Sequence, residues 1–139
     1  MNSGIIPGEE MIEAYKNLKY GKEKVWVLAI NANNSLEIVF KGDNTFQYKD
    51  LVQQLPAKEP RFVIVDFDYE TDECPPRKTN KLIFICWCPL ASSPIKRFTY
   101  PSAINGIVNT LGAIAKTLQC DNYADLDYDV VRKSCLANA

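Results

Sequence analysis

Two stretches constrain this chain more than anything else in it: residues 61–69, RFVIVDFDY, and residues 81–88, KLIFICWC. Both are rich in β-branched and aromatic side chains, which favour strands. In both, apolar residues fall on consecutive positions and not only on alternate ones. Successive strand side chains point to opposite faces, so each strand needs a cover on both sides. That is the situation of central strands in a sheet between helix layers. A bilayer is not the cover, because the longest apolar runs, residues 25–30 and 82–88, are far shorter than the roughly 20 residues that span one.

Periodicity indicates which segments supply the cover. Met11, Ile12, Tyr15 and Leu18 recur at helical spacing and predict a first helix over residues 8–19, with Gly21 as its stop. Residues 24–31 and 36–41 read as two strands joined into a hairpin by the Asn33-Asn34-Ser35 turn. A short helix over 48–55 ends before Pro56. Residues 70–80, with Pro75 and Pro76, and residues 89–101 read as loops. Ile104, Ile107, Val108, Leu111, Ile114, Ala115 and Leu118 form one apolar stripe and predict a long helix over 102–118. A last short helix is expected over 123–136. Strand pairs alternating with helices suggest an α/β fold of α+β-like arrangement. The expected architecture is a single domain over residues 1–139, with a central mixed β-sheet flanked by helices on both faces.

A chain of 139 residues with 47% apolar residues can bury one ordinary core without disulfides or metals. Sixteen basic against seventeen acidic residues leave a net charge of −1, which argues against a general nucleic-acid binder. The chain has no histidine. That removes Ser-His-Asp and Cys-His nucleophilic sites, His-ligated zinc and His proton shuttles together. The glycines form neither a dinucleotide fingerprint nor a phosphate-cradling loop. Glu9 and Glu10 stand where an export signal needs apolar residues, so a cytoplasmic chain with reduced cysteines is expected. Five cysteines, an odd count, also argue against a closed disulfide framework. No metal or cofactor is expected.

Four constellations have both a functional and a plain reading. Residues 63–71, VIVDFDYET, end an apolar strand in Asp66-x-Asp68, similar to the first motif of haloacid-dehalogenase-type phosphatases, where one carboxylate is the nucleophile and the next an acid/base beside magnesium. Glu70 departs from that motif, and strand alternation simply places Asp66, Asp68 and Glu70 on one face. Cys86 and Cys88 share a strand face but lack further ligands nearby in sequence, so buried thiols are the plainer reading. Residues 77–81 and the Lys96-Arg97 pair are basic patches, either solvated or facing an acidic partner. Finally, the outer face of the long helix carries Asn105, Asn109, Thr110, Ala113 and Thr117, with Lys116 its only full charge. Such a face suits close contact with a partner, because few charges need desolvation.

At residues 82–89, LIFICWCP, the chain resembles the actin-depolymerising factor/cofilin family, whose central strand carries a Phe-Ile-x-Trp-x-Pro pattern. Ser3-Gly4-Ile5, residues 60–69, Pro94-Ile95-Lys96, Tyr100-Pro101-Ser102, Leu118-Gln119, Tyr123 and Leu126 are similar to flanking family segments in the same order. The resemblance covers nearly the whole chain. It implies a single actin-depolymerising-factor-homology domain that is not an enzyme. It also implies binding to actin monomers and filaments, with filament severing and depolymerisation, in the cytoplasmic actin cytoskeleton and as a monomer.

The implied sites can be carried over residue by residue. Ser3 matches a serine whose phosphorylation switches off actin binding, and Gly4 and Ile5 belong to the same arm. Lys96 and Arg97 match the basic pair before the long helix, in a segment one residue shorter here. Phe98 stands near the family's Met, and Ser102, Asn105 and Asn109 continue the contact along the helix. Arg77 and Lys78 on the projecting hairpin, with Arg132 and Lys133 on the last helix, match the filament-side contact. The helix start departs from the family: YPSAIN at 100–105 replaces a hydroxyl with Ala103 and a lysine with Ile104, and Val108 and Asn109 stand in for basic residues. Contact with acidic actin and with phosphoinositide headgroups should both be weaker for it. Residues 55–62, LPAKEPRF, also resemble glia maturation factor, which binds the Arp complex at filament branches. That is the alternative reading, and the small phosphatase is the enzyme hypothesis.

Overall fold

In a computed structural model that describes residues 4–137, two short helices, α1 (Glu9–Ala14) and α2 (Lys16–Lys19), lead into strands β1 (Glu23–Ile30) and β2 (Leu36–Asp43). A 3₁₀ turn (Tyr48–Gln54) precedes β3 (Arg61–Glu70) and β4 (Lys78–Trp87). A long helix, α3 (Pro94–Leu111), returns the chain to β5 (Lys116–Cys120). A second 3₁₀ turn (Tyr123–Leu126) and α4 (Tyr128–Leu136) complete it. The sheet order is β2-β1-β3-β4-β5. All neighbours are antiparallel except β4 and β5, which are parallel and joined through α3, as a parallel pair requires a crossover.

The two apolar runs are the central strands, and their alternate side chains feed two separate cores. Phe62, Ile64, Phe84 and Cys86 join Tyr15, Leu18, Tyr100, Ala103, Ile107 and Leu111 on the face covered by α1, α2 and α3. Val63, Val65, Ile83, Ile85 and Trp87 join Leu51, Leu55, Leu126, Val131 and Cys135 on the face covered by the 3₁₀ turns and α4. Each fully buried Ile or Phe is worth about 1.5–3 kcal/mol over leaving it exposed, so both helix layers are held where these strands need them. The mixed sheet with helices on both faces is therefore as expected.

The long helix is not where the apolar stripe alone places it. It begins eight residues earlier, at Pro94, and ends at Leu111. Ser93 caps it, accepting from the Lys96 N–H, and Pro94 occupies the first turn, where a missing N–H costs nothing. Pro101 lies inside the helix and not in a loop. Gly112, at φ +70°, stops it. Residues 116–120 then form a fifth strand that periodicity did not reveal, so Ile114, Ala115 and Leu118 are not on the helix. Its alternate residues Leu118 and Cys120 pack on the α4 face. The other helix expectations also shift: the first helix breaks at Tyr15, residues 48–54 are 3₁₀, and α4 starts at Tyr128 after a separate 3₁₀ turn.

Tyrosine hydroxyls tie the elements of each face together. Tyr15 Oη donates to the Gly112 carbonyl at 2.7 Å, fixing α1 and α2 to the end of α3. Tyr48 Oη donates to the Leu126 carbonyl at 2.6 Å and Tyr123 Oη to the Leu55 carbonyl at 2.8 Å on the other face. All five cysteines are free thiols. Burial pushes Cys86 and Cys120 up to about 12, and Tyr15 also to about 12.

Two outcomes follow. Tyr15→Phe leaves the Gly112 carbonyl without its partner and should lower stability by about 1–2 kcal/mol in urea unfolding; an unchanged midpoint would mean the bond does not hold the layers. In the unfolded chain a thiol titrates near 8.5 and a phenol near 10. The folded chain keeps those protons to about 12, so the unfolded state binds fewer of them as pH rises. Stability is thus fully present below about pH 8 and lost progressively from about pH 9 toward 12. With no histidine to titrate, urea midpoints should be flat between about pH 6 and 8, and a step in that window would contradict the account.

Candidate functional site

The outer surface of α3 is the first candidate. Tyr100, Ala103, Ile104, Ile107 and Leu111 face inward. Opposite them, Ile95, Phe98, Ser102, Asn105 and Asn109 follow one another at steps of three, four, three and four, so they form a single stripe along the helix. Ile95 is 78% exposed and Phe98 77%, with Leu90 at 69% on the approach to the helix. Large apolar side chains clustered at one helix end are a mark of an interaction surface. Ser102 turns its hydroxyl back to the Thr99 carbonyl at 2.7 Å, and the stripe continues polar and uncharged through Asn105 and Asn109.

The structure sorts the other expected contact residues. Lys96 is held by Glu59, with both carboxylate oxygens at 2.9 Å, while Arg97 is exposed and makes no ion pair among the described residues. Ile5 is buried in the core under α3 and cannot serve as an arm contact while it stays there. The exposed apolar residue of that segment is Ile6. Gly4 is exposed, and Ser3 lies outside the described residues. Ile95 and Leu90 were missed as site residues because residues 89–101 read as a loop. The Ser93-Pro94 pair was the available signal, since it marks a helix start and places Ile95 and Phe98 one turn apart.

The second candidate is the end of the β3–β4 hairpin. β1 pairs with β3 only from Val25↔Val65 to Leu28↔Phe62, and β5 reaches β4 only from Ile83 to Trp87. Residues 66–70 and 78–82 therefore project beyond both neighbouring strands. Arg132 on α4 ties this projection down: Nε donates to the Glu70 carbonyl at 2.8 Å and a terminal nitrogen to Asp72 at 2.6 Å. Arg77 pairs with Glu73 at 3.4 Å within the turn. Lys78 and Lys133 are exposed and make no ion pair among the described residues. Of the four basic residues expected to face a partner here, Arg132 is thus spent mainly on positioning the hairpin. α3 and α4 cover opposite sheet faces.

The Asp66-x-Asp68 pair sits in a polar network that ties three strands together. Asp66 is 7% exposed, accepts from Asn80 Nδ2 at 2.6 Å and has Lys24 Nζ at 3.8 Å, while Asp68 is bonded to the same Lys24. Both carboxylates serve a network joining β1, β3 and β4. Cys86 is fully buried and Cys88 half-buried, as thiols packed on the α3 face.

The model of the cofilin/tropomyosin-type actin-binding proteins matches residues 4–136. The chain belongs to this family. It is 31% identical over 133 residues to actophorin of Acanthamoeba castellanii, covering 93% of each chain. It is 27% identical over 132 residues to a cofilin of Mycosarcoma maydis, covering 94% of each. The crystal structure of a Streptomyces griseoflavus cofilin superposes with a TM-score of 0.81 at 25% identity, over 94% of this chain and 96% of that one. A glia maturation factor from Caenorhabditis elegans shares the fold as well, with a TM-score of 0.71 at 19% identity, over 96% of this chain and 95% of that one. Among the described residues no helix is long and apolar enough to cross a membrane.

Arg132→Gln removes both of the contacts that Arg132 makes to the hairpin, to the Glu70 carbonyl and to Asp72. Amide exchange across residues 70–78 should become faster while the paired centre of β1 and β3 stays protected; equal protection in the variant would show that the hairpin does not depend on Arg132.

Proposed function

We propose that this chain binds actin monomers through the α3 stripe, centred on Ile95 and Phe98, and that it also binds filament sides through the hairpin and α4. In this reading it promotes filament depolymerisation and severing without catalysing a reaction, and it acts as a monomer. The observation that supports it is the pair of exposed apolar side chains at the start of α3, on a helix whose other large apolar residues are buried or half-buried. Desolvating two such side chains is favourable, whereas the uncharged remainder of the stripe adds contact area with few charges to strip of water. Arg97 adjoins Phe98 on the helix, and Gly4 and Ile6 are the exposed residues of the N-terminal segment in this reading. Phosphoinositide headgroups are bound weakly at most, since the stripe carries no lysine.

The hairpin surface is charged, with Lys78 and Lys133 exposed and Arg77 beside them. Exposed charge pairs are screened over about 10 Å at 0.1 M salt, while apolar contacts are far less sensitive to salt. Filament binding should therefore fall more steeply with salt than monomer binding. A phosphate on Ser3 would add about −1.5 to −2 charge close to an acidic partner and weaken both.

The test combines a monomer-binding titration with filament co-sedimentation. Ile95→Ser with Phe98→Ser should weaken monomer binding by about thirty-fold or more, on about 1–2 kcal/mol lost for each of the two apolar anchors. The thermal melt should be unchanged, because neither side chain is in the core. Ser3→Glu should weaken binding where Ser3→Ala does not. Unchanged affinity in the double variant would reject the α3 site. The likeness of residues 55–62 to glia maturation factor carries the second reading; a protein that leaves bare filaments intact but releases branches formed by the Arp complex would establish it instead.

A further inference from the structure

On the α4 face the elements that cover the sheet meet along a seam. One wall is the 3₁₀ turn of residues 48–54 and its exit. The other is the second 3₁₀ turn, Tyr123–Leu126, with the start of α4. Both walls run over the strands between Phe67 and Trp87. On the first wall Tyr48 packs edge-on to Phe67 at 5.0 Å, and the Pro56 carbonyl accepts from Trp87 Nε1 at 2.8 Å. On the second wall Tyr128 lies against Phe67 at 5.3 Å and Tyr123 against Trp87 at 4.8 Å. Trp87 pairs with Arg61, six positions before Phe67, so the two supporting rings stand about 20 Å apart along the strands. Hydroxyls tie the walls across the seam, Tyr48 to the Leu126 carbonyl and Tyr123 to the Leu55 carbonyl.

Between the walls is a cleft of about 610 Å³ that reaches the buried Leu51, Val65 and Leu126, a volume in the range of specific ligand pockets. Val52, Tyr123 and Tyr128 line it and are exposed. Its walls carry one charge of each sign, Lys49 on the first and Asp127 on the second, and neither is ion-paired among the described residues. Lys24, Asp66 and Asp68 border the cleft only where β1 leaves β3. Strand alternation puts those two carboxylates on the α3 face, where Lys24 holds both. The charges balance, so the cleft favours a neutral occupant. The Leu55 and Leu126 carbonyls are already taken by tyrosines. An occupant with an N–H on every residue would therefore bury donors without acceptors, which is costly. Donors, in contrast, are at hand. They are the side chains of Asn44 and Lys49 and the Tyr128 hydroxyl, which makes no hydrogen bond among the described residues.

We propose that this cleft receives a proline-rich segment of a partner protein in the polyproline II conformation, with its pyrrolidine rings against Tyr48, Val52, Tyr123 and Tyr128. Proline has no main-chain N–H, and a polyproline II chain makes no internal hydrogen bonds, so its carbonyls are free to meet the donors of the cleft. Its conformation is set before binding, and aromatic-lined grooves recognise it for that reason. At about 3.1 Å per residue, roughly six residues reach from the Phe67 end to the Trp87 end. A helix, about 10–12 Å across with its side chains, would fill the same volume in little more than one turn. The plain alternative is that the tyrosines only cover Phe67 and Trp87, in which case proline peptides do not bind. The cleft lies on the sheet face opposite the α3 stripe and adjoins the hairpin surface at Asp68 and Tyr128. The proposal holds whether or not the chain binds actin as proposed above.

The test is an amide-resolved NMR titration of the full chain, without actin, using capped hexaproline. Shifts are expected at Tyr48, Lys49, Val52, Tyr123 and Tyr128. Capped hexaalanine, which restores the N–H groups, should bind about ten-fold more weakly or less. Tyr128→Leu should weaken hexaproline binding by about five-fold, the loss of one aromatic contact. Val52→Ser, on the facing wall, should weaken it by a similar factor. Both side chains are exposed, so the thermal melt should stay where it is. Lys49→Gln combined with Asp127→Asn should leave affinity within about two-fold, because the occupant is neutral and exposed charges add little. No shifts at millimolar hexaproline, or shifts confined to α3, would overturn the proposal. Equal binding of hexaalanine would overturn the choice of a proline-rich partner. Unchanged affinity in both Tyr128→Leu and Val52→Ser would remove the site from this cleft, and a large loss in the charge variant would overturn the neutral occupant.

Discussion

Everything in this molecule depends on β3 and β4 being buried on both faces. A strand with apolar residues on consecutive positions cannot lie at a surface, so one helix layer has to cover each side. That requirement sends the chain from β4 through α3 to the parallel β5, and then to α4 on the other face. The consequence is geometric. The outward stripe of α3 and the outward side of α4 are separated by the full thickness of the sheet, so a single small domain presents two surfaces that can meet two neighbours at once. A domain with only one covered face would present one.

The same strands outrun their neighbours. β3 and β4 pair with each other over ten residues, but β1 supports β3 for only four of them. The overhang leaves a hairpin that is not held by the sheet, and the basic residues near it are committed to holding it. Arg132 bonds the Glu70 carbonyl and Asp72, Lys24 bonds Asp66 and Asp68, and Lys81 donates to the Cys135 carbonyl. A similar commitment takes Lys96 to Glu59. Positive charge counted along the sequence therefore overstates what is offered to a partner. Arg97, Lys78 and Lys133 remain outward, while the start of the α3 surface carries the apolar pair Ile95 and Phe98. In the proposed reading, recognition on that face rests on burial more than on charge.

Much of this was legible from local patterns. Consecutive apolar positions marked β3 and β4 as central strands, the Asn33-Asn34-Ser35 turn marked the first hairpin, and the stripe from Ile104 to Leu111 marked the inner face of α3. Those signals are local, because side-chain periodicity follows directly from backbone geometry. Two local signals were misweighed. Pro101 read as a helix breaker, yet Ser93 and Pro94 had already started the helix, and packing of Tyr100, Ala103 and Ile104 against β3 and β4 outweighs one missing hydrogen bond. Residues 116–120 read as helix because Ile114, Ala115 and Leu118 extend the stripe, whereas Gly112 at positive φ had ended it.

What the sequence alone determined is the need for two covers, the absence of histidine chemistry, and an ordered set of motifs that places the chain in its family. These follow from residue type and spacing and do not depend on where the chain returns in space. Only the tertiary structure decided which charges are free. Whether Arg132 faces a partner or Asp72, and whether Ile5 or Ile6 is outward, depends on groups sixty or more residues apart meeting at one point. Ion pairs and burial are properties of that meeting, because Coulomb and packing energies act between neighbours in space and not along the chain.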